Sequence, residues 1–352
     1  MAPPYTAPVT LKNPIIPTGS LVLVTGVNGL IASHIADVLL TSGYRVRGTV
    51  REPSKSAWVE EIFKSKYSAD SFELVQVADL AAPGAWDKPI KGVSGAILVA
   101  GHASLDIADV DAAVKQELAN HVSLLEAAKA EPTVKSVIYT ASMWTAWTPA
   151  VGVAAKVDAT SWNEDALRKV ADPSLTPQQK GLAPFMATKT KVEQGLWGWV
   201  KREEPSYRFN TVHPDTVLGP IMNPESQPAS TAGMVRWLWN GEHLDILEHV
   251  TPQWFIDARD CGRLFLGTLV TPGVEGERIF GCAERYSWPK VLEILKQSYP
   301  DKADFVDLPD AGWDQTDMAN GRATELLRSL GQDEWTSLEQ SVRDNVESFV
   351  KT

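Results

Sequence analysis

Cysteine is scarce in this chain. Cys261 and Cys282 are its two cysteines, and they form no CxxC pair. That argues against a disulfide framework and points to two buried thiols in a reducing compartment. The six histidines, His34, His102, His121, His213, His243 and His249, are scattered, with no HExxH and no Cys/His cluster at metal-ligand spacing. No metal site is therefore expected. Basic charge is also in deficit: 33 Lys and Arg against 44 Asp and Glu give a net charge of −11. Nucleic-acid backbones and anionic membranes reward basic patches, so neither is expected as the main partner. No apolar run approaches the roughly 20 residues of a membrane span. The first twenty residues carry five prolines and no long apolar stretch, which does not suit a signal peptide. A cytoplasmic protein with an extended N-terminal arm is the resulting expectation. Internal repeats and low-complexity tracts are lacking too.

What is present is an alternation. Leu21–Thr25 is a short, largely apolar run, as suits a strand buried on both faces. Leu30, Ile31, Ile35, Val38 and Leu39 then recur at helical spacing, and Gly43 is a natural helix stop. Tyr44–Val50 reads as a second strand, completing a βαβ unit. Phe72–Val77, Ala96–Ala100, Val134–Thr140 and Arg208–His213 read as further strands. Helices are expected near 108–130 and 185–203. Such alternation predicts an α/β fold, a Rossmann doubly wound parallel sheet. After His213 the texture changes to prolines and tryptophans. Ala258–Leu269 and Arg278–Cys282 look like helix and strand again, and 284–352 looks mostly helical. The expected division is a dinucleotide-binding domain of 1–213 plus 257–283. A smaller, mostly helical substrate lobe would use 214–256 plus 284–352.

Between the first strand and helix lies Thr25-Gly26-Val27-Asn28-Gly29-Leu30-Ile31-Ala32. Gly26 suits the tight turn, Gly29 lets the backbone approach a pyrophosphate, and small Ala32 lets helix pack on strand. The helix N-terminus then offers free N–H groups to phosphate. A glycine triplet alone is weak evidence, but this one follows a strand and opens a helix. Thr25, Gly26, Asn28, Gly29, Leu30 and Ile31 are candidate cofactor contacts. At the end of the second strand stand Arg51 and Lys55, cations that suit the 2′-phosphate of NADP rather than the bare ribose of NAD. Arg47 is a weaker third candidate. Asp79 and Leu80, just past the third strand, are candidates to flank the adenine.

These residues, with Ser142 after the fifth strand, Lys189 on a later helix and the turn His213-Pro214-Asp215-Thr216-Val217-Leu218-Gly219-Pro220, carry a resemblance. The chain resembles an extended-type short-chain dehydrogenase/reductase. Within that family it is most similar to fungal NADPH-dependent aldehyde and ketone reductases of the dihydroflavonol/cinnamoyl-reductase group. Ser161-Trp162-Asn163 and Val46-Arg47-Gly48-Thr49 extend the resemblance along most of the chain. The resemblance implies hydride transfer between NADP(H) and a small-molecule carbonyl, with a Ser, a Tyr and a Lys as catalytic set. Tyr and Lys lie four apart on one helix face. The Lys holds the nicotinamide ribose and lowers the Tyr pKa, the Tyr gives the proton, and the Ser polarises the carbonyl oxygen. It also implies that Pro214 and Val217 pack near the nicotinamide, and that the protein is a monomer or homodimer.

Ser142 and Lys189 match that set, but the Tyr position is Phe185, which has the ring and no hydroxyl. Positioned proton transfer is typically worth about 100- to 10,000-fold in rate. Three explanations stay open: a Tyr→Phe substitution made to trap substrate, a natural protein using another proton route such as water or His213, or a repurposed protein that binds NADP(H) without reducing anything. Tyr139 lies three residues before Ser142 in an alternating strand, so it is expected to face the core instead. Thirteen tryptophans are many for 352 residues. Trp144, Trp147 and Trp237, with His213, are candidate substrate contacts and suggest a bulky, apolar or aromatic carbonyl compound.

Overall fold

The structure is a computed structural model and describes residues 9–101 and 104–350. The N-terminal Met1–Pro8 and His102 lie outside the described residues. In chain order the strands are β1 (Leu21–Thr25), β2 (Arg45–Val50), β3 (Phe72–Gln76), β4 (Val93–Leu98), β5 (Ser136–Thr140), β6 (Lys156–Val157), β7 (Arg208–Pro214), β8 (Thr216–Leu218), β9 (Gln253–Asp257), β10 (Arg278–Gly281), β11 (Glu284–Tyr286) and β12 (Asp317–Met318). The helices are α1 (Leu30–Thr41), α2 (Pro53–Lys66), α3 (Val110–Ala130), α4 (Glu164–Ala171), α5 (Pro177–Lys180), α6 (Ala183–Glu203), α7 (Ser230–Asn240), α8 (Leu244–Leu247), α9 (Ala258–Val270), α10 (Trp288–Ser298), α11 (Gly321–Ser329) and α12 (Leu338–Phe349).

Seven strands form one parallel sheet in the order β10-β7-β5-β4-β1-β2-β3. The order reverses at β1, where a doubly wound sheet opens its ligand crevice. Strand alternation builds the layers. Val22 and Val24 face a core shared with α1, α9 and α11, while Leu21 and Leu23 face one shared with α3 and α6. Both faces are covered, which is why β1 reads as a continuous apolar run. Tyr139 belongs to the α3/α6 core, 2% exposed, with its ring edge-on to His121. The strand expected at Ala96–Ala100 starts and stops earlier, at Val93–Leu98. The N–H groups of Val99 and Ala100 bond the Thr25 hydroxyl instead of a neighbouring strand.

A second sheet, β11-β9-β8, carries α7, α10 and α12 on its own core around Phe255, Tyr286 and Trp288. A two-strand pair, β12-β6, closes beside it. One helix of the C-terminal stretch packs elsewhere: Ala323, Leu326 and Leu327 of α11 join the core of α1 and α9. The described N-terminal arm follows the same side, with Thr10 N–H bonding the Leu330 carbonyl and Ile15 N–H the Val270 carbonyl. Among the described residues no helix is long and apolar enough to cross a membrane.

Candidate active site

At the β1–α1 turn Gly26 has φ +65°, and a Cβ there would lie 3.1 Å from Ala100 Cβ. Left-handed backbone and a close neighbour both demand glycine. Gly29 is the N-cap of α1; no side chain caps this helix and its first turn holds no acid. Its N–H groups and positive dipole end therefore meet an anion with no competing side chain. Gly26, Asn28, Gly29 and Ile31 are partly exposed there, while Leu30 is buried and anchors the helix. Thr25 lies deeper than these residues. It is 2% exposed, and its hydroxyl ties β1 to the exit of β4. It shapes the floor of the loop from below. The residues present fit a dinucleotide pyrophosphate.

At the end of β2, Arg51 is exposed and makes no ion pair among the described residues. Lys55 is also exposed, but its ammonium sits 2.7 Å from Glu52. Arg47 is held by Glu73 at 2.6 Å and by the carbonyls of Pro89 and Lys91, so it is a structural cation rather than a phosphate ligand. Asp79 is exposed and accepts the Ala81 N–H in its own turn. Leu80 packs against the α3/α6 core and its carbonyl accepts the Trp86 indole N–H.

The reacting face is built on α6 and on the turn after β5. Ser142 caps a one-turn 3₁₀ helix, Met143–Thr145, its Oγ accepting the Trp144 N–H at 3.2 Å. That uses a lone pair and leaves the O–H as a donor. On α6, Phe185 and Lys189 lie one turn apart, with Lys189 Nζ 5.5 Å from the Phe185 ring centroid. Trp144 stands perpendicular to the same ring, centroids 6.0 Å apart. Phe185, Lys189 and Trp144 are thus brought to one place, with Ser142 joined to Trp144 through its N–H. Burial pushes the Lys189 ammonium below its ordinary pKa, and the charge of Glu117 partly opposes this.

Several of the expected contact residues are buried or packed against other elements. His213 is 0% exposed, with ring nitrogens facing Thr145, Thr211, Glu193 and the Ser142 carbonyl, so it does not reach an open cleft. Residues 209, 211 and 213 of β7 point toward α6, and that alternation takes the imidazole inward. Trp147 is buried among Met143, Trp254, Phe280 and Met318, a packing residue. Trp237 stacks on His243 at 4.7 Å against the core of the second sheet, and no ring contact joins it to Trp144 or Phe185. Pro214 is buried at the end of β7, and Val217, 4% exposed, lies in the α1/α9 core. Val217 supports its turn from behind.

The NAD dependent epimerase/dehydratase family model matches residues 22–279. The chain belongs to that family. Aldehyde reductase 2 of Sporidiobolus salmonicolor is 37% identical over 339 residues, 96% of this chain and 98% of that one. Ketoreductase adrE of Penicillium rubens is 38% identical over 343 residues, 95% and 98% of the two chains. These relatives bear out the reading as a nicotinamide-dependent oxidoreductase. Yeast methylglyoxal/isovaleraldehyde reductase Gre2, solved with NADPH, superposes with a TM-score of 0.75 at 20% identity, covering 93% of this chain and 97% of that one. That likeness speaks for the fold.

Residues from other elements, with no signal at the turn itself, also hold the turn after β5. Gln253, on β9, accepts the Trp144 indole N–H at 2.8 Å and so ties the second sheet to the reacting face. Glu193 and Arg278 form a buried ion pair at 2.8 Å. Glu193 follows Lys189 by four residues, an acid on the buried stripe of a helix, which was a readable signal. A cavity of about 710 Å³ walled by Trp162, Trp197, Arg278 and Arg322 opens at the N-terminal end of β10, away from the phosphate loop.

Proposed function

We propose that the chain is an NADPH-dependent reductase of a bulky, apolar or aromatic aldehyde or ketone whose usual proton-donor position is filled by Phe185. When bound, the cofactor would supply a hydride to the carbonyl carbon. Ser142 donates a hydrogen bond to the carbonyl oxygen. Lys189 holds the nicotinamide ribose. Arg51, unpaired and exposed beside the end of β2, takes the 2′-phosphate, with Lys55 in support once it leaves Glu52. Asp79 and Leu80 flank the adenine. Phe185 fills the tyrosine's volume and supplies no proton, so reduction by this chain draws its proton from water and runs slowly.

The observation that carries the reading is the meeting of Lys189 and Trp144 at the Phe185 ring, with Ser142 Oγ bonded to the Trp144 N–H. Trp144 is the aromatic wall for the substrate. The chain divides into a dinucleotide-binding domain, 1–213 with 257–283, and a substrate lobe, 214–256 with 284–352. Within 284–352, Ala323, Leu326 and Leu327 of α11 pack on the core of α1 and α9. Two free, buried cysteines support action in the cytosol.

A second reading follows from the same ring: a protein that binds NADP(H) and performs no reduction, serving a non-redox step or cofactor sensing. NADPH consumption with a panel of aryl and alkyl aldehydes and ketones separates the two. The test compares this chain with its Phe185→Tyr variant. Turnover by the tyrosine variant supports the first reading; NADPH binding with no turnover by either supports the second.

A further inference from the structure

Helix α6 carries Phe185, Lys189 and Glu193 at successive four-residue steps, on one face. The first two reach the reacting face. Glu193 points into the protein, where its side chain is 0% exposed. A buried carboxylate survives as a charge only if it is fully hydrogen-bonded. Glu193 meets that demand. Arg278 Nε donates to Oε1 at 2.8 Å and an Arg278 terminal nitrogen to Oε2 at 3.2 Å. The Thr211 hydroxyl and the Trp197 indole N–H reach Oε1, each at 3.2 Å. The Thr145 hydroxyl reaches Oε2 at 2.6 Å.

Thr145 is the pivot of this cluster. Its hydroxyl has one proton, and the short contact to a charged acceptor claims it. Its backbone N–H donates to the Ser142 carbonyl at 3.0 Å. His213 Nδ1 lies 3.2 Å from that same carbonyl. His213 Nε2 faces Glu193 Oε1 at 3.1 Å. Arg278 is itself fixed by the carbonyls of Ala159 and Ser161, at 3.0 and 2.6 Å, and stacks over Trp162 at 4.0 Å. One carboxylate therefore ties together α6, the Ser142 turn, β7 and β10. Two of those elements hold Lys189 and Ser142.

We propose that Glu193, clamped by Arg278 and acting through Thr145 and His213, is a positioning residue that sets Ser142 in register with Lys189. The inference rests on the reductase reading for its catalytic consequence, and on geometry alone for its structural one. None of the four side chains touches the reacting atoms. Their effect is on where the Ser142 hydroxyl stands relative to a carbonyl held over Lys189. Misplacement of that order, about 1 Å, typically costs about 100-fold in rate.

The test uses Thr145→Val, which keeps the shape and removes the hydroxyl, and Thr145→Ser, which keeps the hydroxyl. Both are made in the Phe185→Tyr chain, where a proton donor is present, with Glu193→Gln as a third variant. Thr145→Val is expected to lower kcat at least about tenfold, with KM and NADPH affinity within about threefold. Thr145→Ser is expected to restore kcat to within about threefold of its parent. Amide hydrogen exchange supplies a readout independent of turnover. Thr145→Val and Glu193→Gln should speed exchange in Ala141–Trp147 while leaving β1 and α1 unchanged, and Thr145→Ser should not. Unchanged kcat in a folded Thr145→Val protein overturns the proposal. So does a uniform rise in exchange across the chain, or none at Ala141–Trp147. If the Phe185→Tyr chain reduces no carbonyl, the reductase reading fails by itself, and the exchange pattern alone decides the positioning claim.

Discussion

Lys189 Nζ lies 5.5 Å from the centre of the Phe185 ring, one helical turn away on α6. An ammonium over an aromatic face is a stable arrangement on electrostatic grounds. It is also where a lysine would lower a phenol's pKa, if a phenol stood there. With phenylalanine the same geometry orients a cofactor and leaves the proton to come from elsewhere.

The environment of Lys189 gives a pH prediction. Burial lowers its pKa below 10.5, and the Glu117 carboxylate only partly opposes that. If the ammonium holds the ribose, NADPH affinity should fall as pH rises, with a midpoint below 10.5. Stability has the opposite sign. Between the lowered folded pKa and the ordinary unfolded one, the unfolded chain binds more protons, so stability rises with pH across that window. Calorimetric titration and thermal melts of the chain and of Lys189→Met check both signs. The methionine variant should bind weakly and show neither slope.

Arg51 should set the cofactor preference. A charge-assisted hydrogen bond to phosphate contributes about 1.5–3 kcal/mol, or roughly 10- to 100-fold in affinity. Arg51→Ala is expected to weaken NADPH by about that factor and leave NADH nearly unchanged, as measured by quenching of tryptophan fluorescence. Equal losses for both cofactors would show that Arg51 does not read the 2′-phosphate.

Two tryptophans near Ser142 should behave differently. Trp147 is 7% exposed within a packed cluster, so Trp147→Ala should cost about 3–5 kcal/mol of stability. Trp144 is partly exposed and meets Phe185, so Trp144→Ala should mainly raise KM for bulky carbonyls. Denaturant unfolding and steady-state kinetics distinguish the two. A large stability loss at Trp144 with an unchanged KM would remove it from the substrate wall.

Much of this was legible in the residues. Leu21–Thr25 is buried on both faces, so apolar run and burial coincide, and its strand is easily read. The helix start at Leu30 follows from the glycines, and the helix expected over 185–203 is α6, Ala183–Glu203. Tyr139 was placed in the core by counting alternation from Ser142. Harder to read were features set by distant partners. β12 and β6 are two residues each and exist because Asp317 and Met318 meet Lys156 and Val157. His213 looked like a cleft histidine because it precedes the turn at the end of β7; its burial depends on Glu193, Thr145 and Arg278, from other elements. Val217 carries an apolar side chain suited equally to a cofactor wall or a core, and only packing against α9 decides between them. The Glu193–Arg278 pair spans 85 residues, a separation at which no local pattern connects two charges.

The decisive measurement is the rate of NADPH oxidation with a panel of aryl and alkyl aldehydes and ketones, run on this chain beside Phe185→Tyr. The proposed reading predicts an increase in kcat of about 100- to 10,000-fold on adding the hydroxyl, with little change in NADPH affinity. Equal rates in the two proteins, or NADPH binding with no turnover by either, would contradict it.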